Sequence, residues 1–249
     1  MPATPLFLKL LTAHLAGDYL VQSDRIARHK HRPGPLALHV LLHAVLLAVV
    51  GLTEPASVAL WVALLTVLAA HAAIDAWTSR VEPRDLRLLT IDQGLHLASL
   101  GVALAIARAG HGGPQGPLAA ALDRPAAWLV LCGGLLAVPA GSTVIGRSVR
   151  PFEDALSDES REKRHGLELA GRWIGMLERL VIYAAVLAGF ESLIGFVIAV
   201  KAVLRLPEAR EKWSRELAEY YLVGSLASLA WALIAGLAVR GLLARGGAA

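Results

Sequence analysis

An all-α bundle that crosses a membrane about eight times is the fold class this sequence predicts, and three observations predict it. Of 249 residues, 56% are hydrophobic and 18% charged, and the mean hydropathy of +0.57 lies well above that of a soluble domain. The apolar residues fall in long blocks, most of them near the ~20 residues that a transmembrane helix needs. The basic residues gather in alternate connections between those blocks, which is the pattern that orients a polytopic membrane protein.

The apolar segments run, in order, over 5–22, 35–52, 57–77, 88–108, 126–146, 169–189, 191–206 and 216–243. The seventh is short for a full crossing and fits a re-entrant segment as well as a span. Connection 23–34 carries Arg25, Arg28, Lys30 and Arg32, and 78–87 carries Arg80, Arg84 and Arg87. The stretches 147–168 and 201–215 hold five basic residues each, whereas the intervening connections are nearly bare. The positive-inside rule then puts the basic loops in the cytoplasm and both termini outside, in a bacterial inner membrane. The expected organisation is a five-helix membrane part (1–146), a cytoplasmic linker loop (147–168) and a three-helix membrane part (169–249). The mixed-charge linker, RSVRPFEDALSDESREKRHG, reads as a solvated connector or as a contact for a cytosolic partner.

Composition excludes several classes. The net charge of +4 is explained by loop orientation and is no nucleic-acid footprint. A single cysteine, Cys132, rules out an intrachain disulfide and argues against a thiolate metal site. The sequence has no G-x-S-x-G, no P-loop and no Cys/His nucleophile arrangement.

The chemistry sits in the first four segments. Each carries two ionisable groups four residues apart: His14 and Asp18, His39 and His43, His71 and Asp75, Asp92 and His96. Residues at that spacing share one face of a helix. Because consecutive segments run in opposite directions, all eight side chains fall near the cytoplasmic ends. Ionisable groups inside a bilayer carry a penalty of about 2.5–3.5 kcal/mol each on insertion scales, and usually face a functional interior. A divalent cation offsets that penalty by neutralising carboxylates and engaging imidazole lone pairs. Five histidines and three aspartates suit zinc first, with manganese or iron as alternatives, and the number of ligands allows one or two ions. Gln22 and Gln93 follow the motifs and are placed to orient ligands. The competing reading is a hydrogen-bond network that only fastens the bundle.

The second part offers Arg172, Lys201 and Arg205 as candidates to hold a phosphate, and Glu178 with Arg179 as a structural ion pair. Gly171 and Gly175 read as a helix-packing face, and Tyr220 and Tyr221 as interfacial anchors.

The run AHLAGDYLVQ, then HxxxH, HxxxD and DQGLH, resembles an uncharacterised family of bacterial inner-membrane proteins. GRWIGMLERL, IGFVIAVKAVLRL and EYYLVGSLAS resemble that family's C-terminal half. The first part is more distantly similar to LexA-regulated inner-membrane proteins assigned as metal-dependent hydrolases, themselves likened to the helical zinc phospholipase C group. That resemblance implies metal ligands at His14, Asp18, His39, His43, His71, Asp75, Asp92 and His96. The zinc phospholipases also use an N-terminal amine as a ligand, which an external N-terminus here could not supply.

The expectation is therefore a membrane-embedded metal-dependent hydrolase of a phosphoester-containing lipid or isoprenoid, with Asp92 or Asp18 accepting a proton. The alternatives are a divalent-metal or proton transporter and a non-catalytic scaffold. Membrane lipid is the expected partner, and nucleic acid is not.

Overall fold

The computed structural model describes residues 5–109, 124–160, 168–212 and 215–246, with the side chains of 168–170 and 204–212 outside that description. Among the described residues there are helices and no strands. The chain divides into two compact units, Met1–Leu135 and Leu136–Ala249.

Helix α1 (Pro5–Ala16) starts on a proline, whose fixed φ suits the first helical turn. It widens into a π turn, Gly17–Val21, that carries Asp18. A short α2 (Asp24–His29) is capped by Ser23, whose hydroxyl accepts from the Ile26 amide at 3.4 Å. Pro33 opens α3 (Pro33–Leu52), and Ser57 caps α4 (Val58–Thr78) by accepting from the Leu60 amide at 3.1 Å. Asp85 does the same for α5 (Leu86–Ala109), accepting from the Leu88 amide at 2.9 Å. Pro125 begins α6 (Pro125–Leu135). Cys132 on α6 lies 2.8 Å from the Thr12 hydroxyl and also meets the Leu8 carbonyl, which fastens α6 to α1.

The first unit is layered along its helices. Its apolar core draws on Leu6, Leu10 and Ala13 of α1, on Leu47 and Val50 of α3, on four residues of α4 between Leu60 and Val67, and on Leu100, Ala103 and Ala107 of α5. In every one of these helices the core residues lie toward the same end of the unit relative to the paired ionisable groups. They precede those groups in α1 and α4 and follow them in α3 and α5, as antiparallel neighbours require. One end of the unit is therefore apolar and the other polar.

In the second unit, a π turn at Leu136–Ala140 leads into α7 (Gly141–Asp154), followed by α8 (Glu168–Ala188), α9 (Glu191–Lys212) and α10 (Arg215–Gly246). Helix α8 ends at Gly189, whose φ of 75° is the left-handed conformation that a helix stop favours. Residues 147–154, expected to begin a linker loop, are helical instead. Val149 on that helix is buried, which gives α7 an inward face to continue along. Beyond it the Ser157 amide donates to Glu216 on α10 at 3.3 Å, and residues 161–167 lie outside the described set.

Among the described residues five helical stretches are long and apolar enough to cross a membrane: Pro33–Leu52, Val58–Thr78, Leu86–Ala109, Pro125–Asp154 and Arg215–Gly246. Leu41, Val49, Leu65, Leu226 and Leu237 are all more than half exposed on these stretches, as helices facing acyl chains require. The other three expected segments are helical too, but α1 with its π turn ends at Val21, and α8 and α9 carry interior charge.

Candidate metal centre

The polar end of the first unit brings all eight ionisable side chains of the four motifs together. His14, His39, His43, His71, Asp75 and His96 are buried, with Asp18 and Asp92 partly so. Asp18 Oδ1 lies 3.1 Å from His39 Nε2, 3.1 Å from His43 Nε2 and 3.6 Å from His71 Nε2. Asp75 Oδ2 lies 3.0 Å from His39 Nε2 and 3.3 Å from His71 Nε2. His96 Nε2 sits 3.8 Å from an oxygen of Asp75 and 3.8 Å from one of Asp92. His14 Nε2 is 3.7 Å from Asp18 Oδ2 and 3.1 Å from Gln93 Oε1. Every imidazole turns its Nε2 inward.

Local sequence explains how the side chains reach one another. The π turn places Asp18 beneath the α3 histidines, and π bulges often occur where a side chain must be re-aimed for function. Gly17 makes the approach possible, because a Cβ there would sit 2.3 Å from His43 Nε2. Thr78, one turn after Asp75, donates to Asp92 Oδ1 at 2.7 Å and fixes that carboxylate. Gln93 donates to Asp92 Oδ2 at 2.9 Å and reaches Asp18 Oδ2 at 3.5 Å, so it ties two aspartates and His14 into one network. Gln22 makes no hydrogen bond to the eight groups among the described residues, and its Oε1 is buried without a partner.

Hydrogen bonds alone fit this arrangement poorly. His39 Nε2 has Asp18, Asp75 and His71 Nε2 all within 3.1 Å, yet a ring nitrogen carries at most one proton. Three ring nitrogens crowd one oxygen of Asp18. His96 is buried with neither ring nitrogen hydrogen-bonded, and His39 Nδ1 is likewise without a partner. A shared cation removes the conflict. Ligands of a tetrahedral zinc, at about 2.0 Å each, lie about 3.3 Å from one another, in the middle of the separations found here. The donor groups fall into the sets Asp18/His39/His43/His71, His14/His71/His96 and Asp75/Asp92/His96, each with atoms within 4.8 Å of one another. The first and third share no residue, so these clusters could hold one ion or two.

Two residues that the sequence reading passed over belong here. Lys30 Nζ lies 2.9 Å from Asp75 Oδ2, although in sequence it looks like one more positive-inside residue. Thr78 could have been found, because it is three residues from Asp75 on the same helical face.

The second unit rearranges the other candidates. Glu178 and Arg179 do not pair with each other as expected. Glu178 pairs with Lys201 at 2.6 Å, while Arg179 donates to Ser228 and the Val138 carbonyl, each at 3.0 Å, and to Ser142. Neighbours in a helix point about 100° apart and cannot face each other. Arg172 and Lys201 line a cavity of that unit, together with Gly171, Gly175, Tyr220 and Tyr221. Among the described residues no side chain would obstruct a Cβ at Gly171, which lines the cavity there. The side chain of Arg205 lies outside the described set.

Residues 6–110 match the family described as Protein of unknown function (DUF3307). The matched stretch holds all eight candidate ligands and ends before α6. No curated protein and no solved structure matches the chain.

Proposed function

We propose that this protein is a membrane-embedded, metal-dependent hydrolase acting on a phosphoester-containing lipid or isoprenoid at the cytoplasmic leaflet. One observation carries the reading. Two non-overlapping His/Asp ligand sets lie side by side next to a lysine ammonium, and the apolar core of the same four helices closes the far side. A path for ions would need carboxylates or imidazoles continuing past that core. The buried polar groups described there are Lys9, paired with Glu54, and the hydroxyls of Thr12 and Thr53, each bonded to a backbone carbonyl. This favours chemistry over transport.

When bound, a divalent ion of the zinc, manganese or iron type supplies Lewis acidity and a water acidified toward neutrality. The chain's own groups do the rest. Asp92 is the more accessible carboxylate, with its side chain 16% exposed against 7% for Asp18. Held by Thr78 and Gln93, it is positioned to accept the proton lost by an attacking water. Asp18, crowded by three imidazoles, serves as a ligand. Lys30, 13% exposed, stands at the same rim and offers its ammonium to an anionic phosphoryl oxygen. The apolar layer behind the site keeps bulk water out.

Alternate basic loops support eight crossings with both termini outside, in a bacterial inner membrane, and the motif resemblance to inner-membrane hydrolases supports hydrolysis over scaffolding. The decisive experiment is elemental analysis of the purified protein combined with hydrolysis of a phosphoester-lipid panel. Bound zinc, manganese or iron, with turnover that Asp92→Asn lowers by about 10²–10⁴-fold, is the expected result. Metal transport into proteoliposomes without hydrolysis would replace this reading with the transporter. Hydrolysis by metal-free protein would overturn the metal dependence, and a folded, metal-free protein without turnover would leave only the scaffold.

A further inference from the structure

Helices α7 to α10 enclose a feature that the metal centre does not explain. Arg179 is 3% exposed, and its hydrogen bonds all go to neutral oxygens, those of Ser228, Ser142 and the Val138 carbonyl. Its Nε is buried with no acceptor. The neighbouring carboxylate, Glu178, makes its direct contact with Lys201, at 2.6 Å, and so shares its charge between the two cations. A buried guanidinium with no carboxylate in direct contact, its nearest acidic neighbour shared with a second cation, is unfavourable, and three neutral acceptors relieve that only in part.

Arg179 lines a cavity of about 450 Å³, within the usual size range of small-molecule sites. Among the described residues three cations (Arg172, Arg179, Lys201) and two carboxylates (Glu153, Glu178) line it, an excess of positive charge within that set. Glu178, Lys201, Tyr221, Ser225 and Ser228 also line a second hollow of about 400 Å³, whose remaining wall is apolar and includes Val197, Ile198, Leu222 and Leu226. A polar, net-positive cavity thus shares a wall with an apolar groove on helices whose outer faces are themselves apolar.

We infer that α7–α10 form a binding site for an anionic amphiphile, with its phosphate-bearing headgroup beside Arg179 and Lys201 and an acyl or prenyl chain in the groove beside Ile198 and Leu222. The site stands on the second unit's own side chains and does not rest on the metal reading. Charge complementarity selects the headgroup, because a phosphate accepts charge-assisted hydrogen bonds from guanidinium and ammonium, including the unsatisfied Arg179 Nε. The groove selects for a chain, so free phosphate satisfies only half of the site.

The test is native mass spectrometry of the full chain in detergent, titrated separately with phosphatidylglycerol, phosphatidylcholine of the same chains, and inorganic phosphate. Phosphatidylglycerol is expected to bind about tenfold more tightly than either of the others. Ala202→Phe, which fills the groove without touching a charge, should weaken both lipids and leave inorganic phosphate unchanged. Arg179→Gln should abolish the preference for the anionic lipid. If that variant does not fold, the wild-type ratios and Ala202→Phe decide between them. Equal binding of the two lipids overturns the headgroup assignment, and inorganic phosphate binding as tightly as phosphatidylglycerol overturns the role of the groove. The preference should survive exhaustive chelation, which separates its failure from failure of the metal centre.

Discussion

His71 and His96 each belong to two of the three donor sets, and of the two His71 is the one whose Nε2 lies within 4 Å of both Asp18 and Asp75. His71→Ala should therefore remove most of the bound metal, whereas Asp92→Asn should lower the metal content by no more than one ion. Metal-to-protein ratios of the two purified variants check this, and equal losses would contradict the assignment. Gly17 sets a steric limit. Gly17→Ala drives a methyl into the His43 ring, an overpacking penalty of about 1–3 kcal/mol, and should reduce metal content in a protein that still folds. Lys30 separates binding from chemistry. Its ammonium competes with a cation for Asp75, so Lys30→Ala should tighten metal binding while lowering turnover of an anionic substrate. A variant that loses both would make Lys30 a merely structural residue.

At the scale of elements, the apolar end of the first unit has its own fastening. Lys9 of α1 is 2% exposed, and its ammonium lies 2.5 Å from Glu54, just past the end of α3, and 3.4 Å from the Thr53 carbonyl. Removing one partner strands the other charge, so Lys9→Met should destabilise the unit by about 3–5 kcal/mol. Lys9→Met with Glu54→Leu should recover most of that loss. Thermal midpoints in detergent of the two variants and the wild type check both statements, and a double variant no better than the single one would show that the pair is more than a charge pair. The long helices were legible in the sequence as apolar blocks, and the prolines at 5, 33 and 125 and the caps Ser57 and Asp85 stand at their starts. The short α2 and the 147–154 part of α7 were not, because both are polar. The π turn that re-aims Asp18 was not legible, since one extra residue in a turn leaves no mark on an apolar run.

At the scale of the whole molecule, the proposed metal would couple to the fold. A ligand that binds only the folded state stabilises it by about 2.7 kcal/mol at a hundredfold excess over its dissociation constant. Chelation should lower the thermal midpoint of the intact protein, and zinc should restore it. The His71→Ala variant should show neither effect. A midpoint indifferent to chelator in a protein that carries metal would place the ion elsewhere.

The sequence determined that four consecutive apolar segments each carry two ionisable groups four residues apart, three His/Asp pairs and one His/His pair, and that these pairs gather at one end. Helical period and alternating direction are enough to require it. It also determined the apolar character of the outer surfaces, because hydropathy is a property of composition. Tertiary structure decided which nitrogen faces which oxygen, brought Lys30 from a basic connection to Asp75, and gave Glu178 to Lys201 instead of to its neighbour Arg179. Those outcomes depend on angles and separations of a few ångströms between helices remote in sequence, and spacing along a chain carries no information at that scale.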